Sequence, residues 1–295
     1  MTPLPTLVIG IVSCGRPGIL RETVQELRKQ SYPASRIIVC TPRASDADGL
    51  AEADGLTILR GPIGACHQRN VILDHAGDND VIVFFDDDFL PDRNYLKVCA
   101  EVFGASPGIL AATGRVLADG AKGPGFSMEE ARQMLDNPRI NDNPAQSSVE
   151  DAWSSYGCNM AFRIPAVQRH GVRFDERLPL YAWYEDIDFS RRLGRHGRVV
   201  RMNAAKGIHL ASKTGKTPGR RLGYSQVANP IYLSRKGTFP WDHTLRSVGR
   251  NITMNLMRSL WPEPYVDRRG RLLGNGLALM DLLRGRIAPE RILTL

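Results

Sequence analysis

No apolar run in the 295-residue chain approaches the roughly 20 residues needed to cross a bilayer. The opening Met1-Thr2-Pro3-Leu4-Pro5 has no basic stretch ahead of an apolar one, so no signal peptide is expected. Cysteine is sparse: Cys14, Cys40, Cys66, Cys99 and Cys158 are odd in number, scattered and without a CxxC pair. That pattern argues against a disulfide or zinc framework and fits reduced thiols in the cytoplasm. No GxGxxG follows the first apolar run, so a dinucleotide-binding fold has no support from its fingerprint. Neither a reader motif nor an aromatic stacking platform is present, and nucleic acid is not an expected partner. Internal repeats are also absent.

What remains is an ordinary globular composition, 42% apolar and 24% charged. Its length suits one large α/β domain with a smaller appendage. The charge is unevenly spread. Residues 1–190 carry 18 Lys and Arg against 26 Asp and Glu, a net of −8; residues 191–295 carry 21 against 5, a net of +16. A split of this size can mark a face for anionic lipid or phosphorylated ligands.

Short apolar runs predict strands at 7–12, 36–40, 56–59, 109–116 and 198–202, with helical spacing over 20–30 and 65–75. The first strand, helix and second strand form a βαβ unit, so a parallel sheet is expected. Pro91 suits a helix start. From 117 to about 155 the pattern dissolves into Gly, Pro, Asn, Asp and Ser, apart from a helical candidate at 128–135; so long a connection suggests a functional loop. Two amphipathic helices are expected at 245–261 and 272–283.

The most informative stretch is Val81-Ile82-Val83-Phe84-Phe85-Asp86-Asp87-Asp88. Five apolar residues read as a strand buried on both faces, and three carboxylates stand at its C-terminal end, where open α/β sheets bind ligands. Adjacent carboxylates repel one another and call for a cation, for which oxygen donors suit Mg²⁺ or Mn²⁺.

Five segments occur in a fixed order: Ile9 to Pro17, Gly61 to Leu73 with Arg69-Asn70, Phe84-Phe85-Asp86-Asp87-Asp88, Gly157-Cys158-Asn159-Met160, and Glu185-Asp186. Together they resemble a family 2 glycosyltransferase of the GT-A fold, over residues 7 to about 215. The resemblance implies a Rossmann-like mixed sheet flanked by helices (residues 1–215) and leaves 216–295 as a basic, mainly helical extension. It implies inverting transfer of one sugar from a nucleotide-diphosphate sugar to a saccharide or polyprenyl-linked acceptor, with Mn²⁺ or Mg²⁺. Asp86 and Asp88 then hold the metal that neutralises the departing diphosphate, Asp86 also reaching the nucleotide ribose, with Asp87 between them, and His209 in Gly207-Ile208-His209-Leu210 completes the metal shell. Ser13, Arg16, Arg69, Asp86 and Asp87 are candidates for the nucleotide sugar, arginine because its planar fork donates paired hydrogen bonds to phosphate. The resemblance assigns Asp186 as the base that takes the acceptor proton, with Glu185 supporting it. Asp188 is a rival, and Glu185 and Asp188 share a face if the segment is helical.

Two departures from the family pattern matter. The acid that usually follows the second strand is replaced by Cys40-Thr41-Pro42-Arg43, leaving Asp46 or Asp48 to meet the nucleotide base. No QxxRW follows Glu185-Asp186, so a non-processive enzyme is expected. The basic C-terminal helices suggest a peripheral place on the anionic inner face of the cell membrane, or a homodimer contact. Competing readings are a sugar nucleotidyltransferase and an inactive binding protein of the same fold.

Overall fold

The structure is a computed structural model describing residues 3–53, 55–141, 148–213 and 217–295. It divides into two compact units. The first comprises 1–63, 67–173 and 189–215, and the second 64–66, 174–188 and 216–295. The boundary expected at 215/216 falls on residues outside the described set.

The first unit is built on a mixed nine-stranded sheet. Strands β1 (Leu7–Val12), β2 (Arg36–Thr41), β3 (Leu56–Arg60), β4 (Val81–Asp86), β5 (Phe89–Pro91), β6 (Ile109–Asp119), β7 (Val149–Asp151), β8 (Asn159–Arg163) and β9 (Arg198–His209) lie in the order β3-β2-β1-β4-β8-β6-β9-β5, with β7 also on β9. Helices α1 (Pro17–Leu27), α2 (Ala65–Asp74), α3 (Tyr95–Ala105), α4 (Met128–Asp136), α5 (Pro138–Asn141), α6 (Ile164–Arg169) and α7 (Glu185–Leu193) connect the strands, α2 and α7 each running from one unit into the other. The parallel set β3-β2-β1-β4 follows from the βαβ pattern. Central β4 is parallel to β1 and antiparallel to β8, which buries Val81 to Phe85 on both faces, as their unbroken apolar run requires. Gly10 on β1 is needed because a Cβ there would stand 2.7 Å from the Phe84 ring.

Two expected boundaries differ. Pro91 closes strand β5, and the helix begins only at Tyr95, because residues 89–91 pair with β9. The loop expected from 117 opens instead with the end of β6, while the helical candidate at 128–135 is present as α4, whose Ser127 and Glu130 form a reciprocal cap. Residues 142–147 of it lie outside the described set.

Strand β9 is the pivot of this unit. It runs parallel to β6 from Ile109–Arg198 to Asp119–His209, with register shifts near Ile109, Gly114 and Val116, and antiparallel to β5, where Phe89 faces His209. Both neighbours therefore terminate beside His209.

The second unit is helical. Helices α8 (Gly219–Lys236), α9 (Trp241–Arg258) and α10 (Arg268–Leu283) pack around Tyr224, Val227, Ala228, Ile231, Ala278 and Ile292. Helices α8 and α10 cross at glycines: a Cβ on Gly223 would meet the Arg271 carbonyl oxygen at 2.0 Å, and one on Gly274 the Arg220 carbonyl oxygen at 2.1 Å. Among the described residues, no helix is long and apolar enough to cross a membrane.

Candidate active site

The three consecutive acids have different surroundings. Asp86, the last residue of β4, is half-exposed and meets the Arg69 guanidinium at 3.3 Å; Arg69 itself is buried on α2 and also reaches the Gly157 carbonyl at 3.4 Å. Asp87 turns inward and is 0% exposed. Its carboxylate accepts from Ser13 Oγ at 2.5 Å and from Arg16 Nε at 3.1 Å, with a second ion pair to Arg16 Nη2, while its carbonyl accepts from Thr23 at 2.7 Å. Burial pushes this carboxyl up; the Arg16 charge opposes that and the neighbouring Asp88 adds to it. Asp87 is thus a clamp joining the β4 turn to the first loop, not a spacer, and both Ser13 and Arg16 are drawn into that clamp. Arg16 also donates to Asp88 at 2.9 Å.

Asp88 is buried as well. Its Oδ2 accepts from the Ser212 amide at 2.9 Å, and its Oδ1 lies 3.6 Å from His209 Nε2. Burial would raise its pKa, but the adjacent His209 imidazole and the Arg16 charge hold it low. On its other side His209 Nδ1 bonds Asp119 Oδ1 at 2.9 Å, which is the register partner that β6 supplies. Asp119 in turn accepts from the Tyr156 hydroxyl at 2.9 Å and from the Ala121 amide at 2.9 Å. Its pKa is held at about 2 because these bonds, that of His209 above all, outweigh burial. Burial would lower the imidazole pKa, but Asp119 and Asp88 push it up to about 10.

Ligand atoms of Asp86, Asp88 and His209 all lie within 4.8 Å of one another. Two carboxylates and one imidazole suit Mn²⁺ or Mg²⁺. An imidazole whose second nitrogen is fixed by a carboxylate is also how proteins orient a metal-binding histidine. The donor set fits a divalent ion. Asp46 is buried beside this loop, accepting from Gly15 N at 2.9 Å and from Arg43, whereas Asp48 makes no comparable bond to the loop among the described residues.

Glu185 and Asp186 belong to the second compact unit, at the first turn of α7. Glu185 is buried, and Asp186 is half-exposed with Oδ1 accepting from the Ile187 amide at 2.8 Å. The rival Asp188 is 0% exposed and is taken up by Lys236 at 2.7 Å and Thr238 at 2.8 Å. Just ahead, Leu180, Ala182 and Tyr184 have φ of +58°, +55° and +75°, left-handed backbone that non-glycine residues adopt at a cost of about 1–3 kcal/mol each. Tyr184 is held there by its hydroxyl on Ser247 at 2.7 Å and its ring on Phe239, and the Trp183 carbonyl accepts from Asn229 at 2.9 Å. Such overdetermined strain is typical of functional segments.

A model of glycosyl transferase family group 2 matches residues 81–256, more than half of the chain. The chain belongs to this glycosyltransferase family.

Its solved structural likenesses have the same fold. It aligns with the crystal structure of GalNAc-T7 with UDP, GalNAc and Mn²⁺ at TM-score 0.60 and 13% identity, over 97% of this chain and 56% of that one. The mannosyltransferase PcManGT from Pyrobaculum calidifontis, in complex with GDP-Man and Mn²⁺, aligns at 0.56 and 15% identity over 95% and 88%. S. aureus TarS 1–349 with UDP-GlcNAc aligns at 0.54 and 13% over 97% and 82%. The chain therefore spans little more than half of GalNAc-T7. No curated protein sequence matches it. At these identities the likeness is one of fold, a GT-A-type sheet.

Within this glycosyltransferase fold, sequence reasoning missed Asp119, Tyr156 and Asn159. Asn159 is fully buried, and its Oδ1 accepts from Tyr95, Thr113 and the Gly114 amide, tying β8 to β6 and α3. Asn159 stood in a recognised motif without a role. Asp119 had no sequence signal, since its pairing with His209 exists only through the register of β6 on β9.

Proposed function

We propose that the chain is an inverting, metal-dependent transferase that moves one sugar from a nucleotide-diphosphate sugar to a saccharide or lipid-linked acceptor, in the synthesis of cell-surface polysaccharide or glycoconjugate. The observation that carries this reading is the convergence of Asp86, Asp88 and His209 on one point at the C-terminal end of β4, with Asp119 behind the histidine. The Mn²⁺ and nucleotide or nucleotide-sugar ligands bound by GalNAc-T7 and PcManGT support it. A divalent ion held there would act as a Lewis acid toward the departing diphosphate. Arg69 pairs with Asp86 and orients it, and Arg16 pairs with Asp88. Ser13 and Asp87 support the donor indirectly by fixing Arg16.

Asp186 takes the acceptor proton and Glu185 holds acceptor hydroxyls. The half-exposed state of Asp186 supports this choice, since Asp188 is sealed by Lys236 and Thr238. Direct attack by the acceptor on the anomeric carbon inverts its configuration. The expected place of action is the cytoplasmic side of the cell membrane.

Calorimetric titration of UDP and GDP in the presence of Mn²⁺, beside a transfer assay over a panel of nucleotide sugars, tests the division of roles. Asp88→Ala should abolish Mn²⁺-dependent nucleotide binding. Asp186→Asn should retain that binding and lose transfer by two orders of magnitude or more, the scale of a general base. Unchanged Mn²⁺-dependent affinity in Asp88→Ala would sink the metal assignment, and near-normal transfer by Asp186→Asn would move the base elsewhere.

A further inference from the structure

Helix α9 is inside out. An ordinary surface helix buries its apolar stripe and shows a polar one to water. Here the buried positions are Thr244, Ser247 and Asn255, and they are occupied by polar bonds: Asn255, 1% exposed, joins Gln226 at 3.0 Å, Asn275 at 2.9 Å and Arg268 at 3.2 Å, and Thr244 joins Ser234. Val248 and Ile252 alone lean half-buried on the helical core. The outward stripes at helical spacing carry Leu245, Met254, Leu256, Met257, Leu260 and Trp261, the last 78% exposed. Six large apolar groups together on one helix and its exit exceed the scattered exposed residues normal for a surface. Helix α10 repeats the feature with Leu273, Met280 and Leu283, the last 89% exposed.

The charge around these side chains selects the partner. The only acid on α9, Asp242, is paired with Arg246. Arg250 and Arg284 make no ion pair among the described residues, and Arg269 bonds only the Ser259 carbonyl. Leucine, methionine and tryptophan projecting among uncompensated arginines match the boundary between acyl chains and anionic headgroups. We propose that the outer face of α9, with its exit at Leu260-Trp261, docks on an anionic lipid surface. The apolar side chains enter the headgroup–acyl boundary while the arginines meet lipid phosphate. This deepens the membrane-side placement above, yet lipid binding can be read without donor or acceptor, so it stands or falls apart from the transfer chemistry.

Co-sedimentation of the full chain with phosphatidylcholine vesicles containing phosphatidylglycerol tests it, beside phosphatidylcholine alone. Binding is expected to the anionic vesicles, to fall at high salt as screening grows, and to blue-shift tryptophan emission. Leu256→Glu with Trp261→Glu should cut partitioning by about tenfold or more, since each lost apolar insertion is worth a factor of this order. The melting temperature of this variant should not move, because both residues are exposed, and that keeps the loss attributable to the surface. No pelleting above the vesicle-free control, or equal pelleting with neutral vesicles, overturns the proposal. A dimer by light scattering that the variant dissolves would assign the face to a second copy instead.

Discussion

At the scale of single residues, the site is a chain of carboxylates paired with basic neighbours, and each has a different duty. Asp119 is the least obvious. It does not lie within the donor cluster, but its bond to His209 Nδ1 leaves Nε2 facing Asp88. Asp119→Ala should weaken Mn²⁺ binding roughly ten- to hundredfold, the usual effect of removing a group that orients a metal ligand. Tyr156→Phe, which removes only one of the bonds to Asp119, should have a smaller effect. Calorimetry with Mn²⁺ decides the point, and wild-type affinity in Asp119→Ala would show that His209 is oriented by the strand alone. The residue roles were legible where chemistry is concentrated in sequence, as in Asp86 to Asp88. They were not legible for Asp119, 90 positions before His209, because nothing short-range marks a residue whose partner is chosen by strand register. Asp87 shows the reverse failure: side by side with two acids of the sheet edge, it reads as one of them, and only its inward turn separates it.

Among the elements, continuous apolar runs announced β1, β2, β4 and β6 because a strand buried on both faces has no polar alternation to confuse. Strand β5 was hidden, since three residues ending in proline look like a helix start. Helix α8 was missed altogether: Gly219, Gly223 and an internal Pro230 are helix-breaking signals, outweighed here by burial of two-thirds of its length against the other helices. The glycines have a positive use. Gly223 and Gly274 let α8 and α10 approach until backbone meets backbone. Gly274→Val should therefore force the helices apart and cost about 1–3 kcal/mol, the usual penalty of overpacking. A lowered midpoint of chemical denaturation would register it; unchanged stability would mean that the crossing relaxes freely. The same substitution at exposed Gly276, where an added Cβ would meet nothing within 4 Å, should cost far less.

On the scale of the whole chain, the charge split now has an anatomy: the acidic part carries eight of the nine strands and the carboxylate cluster, and the basic part carries β9 and the three terminal helices. The parallel strands followed from the βαβ pattern, and the fold class and family from five short motifs, whereas the inverted polarity of α9 needed coordinates, since periodicity reveals that a helix has two faces but not which one is inside. One consequence of β9 reaches furthest. It brings His209 to residues more than 120 positions earlier in the chain, so an ion bound by Asp86, Asp88 and His209 works as a reversible cross-link closing most of the first unit into a loop. The unfolded chain offers no such assembled set, and binding energy becomes folding energy. At a hundred times its dissociation constant, Mn²⁺ should add about 2.7 kcal/mol to stability, raising the melting temperature in wild type and leaving Asp88→Ala unmoved. A chelator should reverse the gain, so that the availability of the ion would govern how long the folded chain survives as well as the transfer proposed for it.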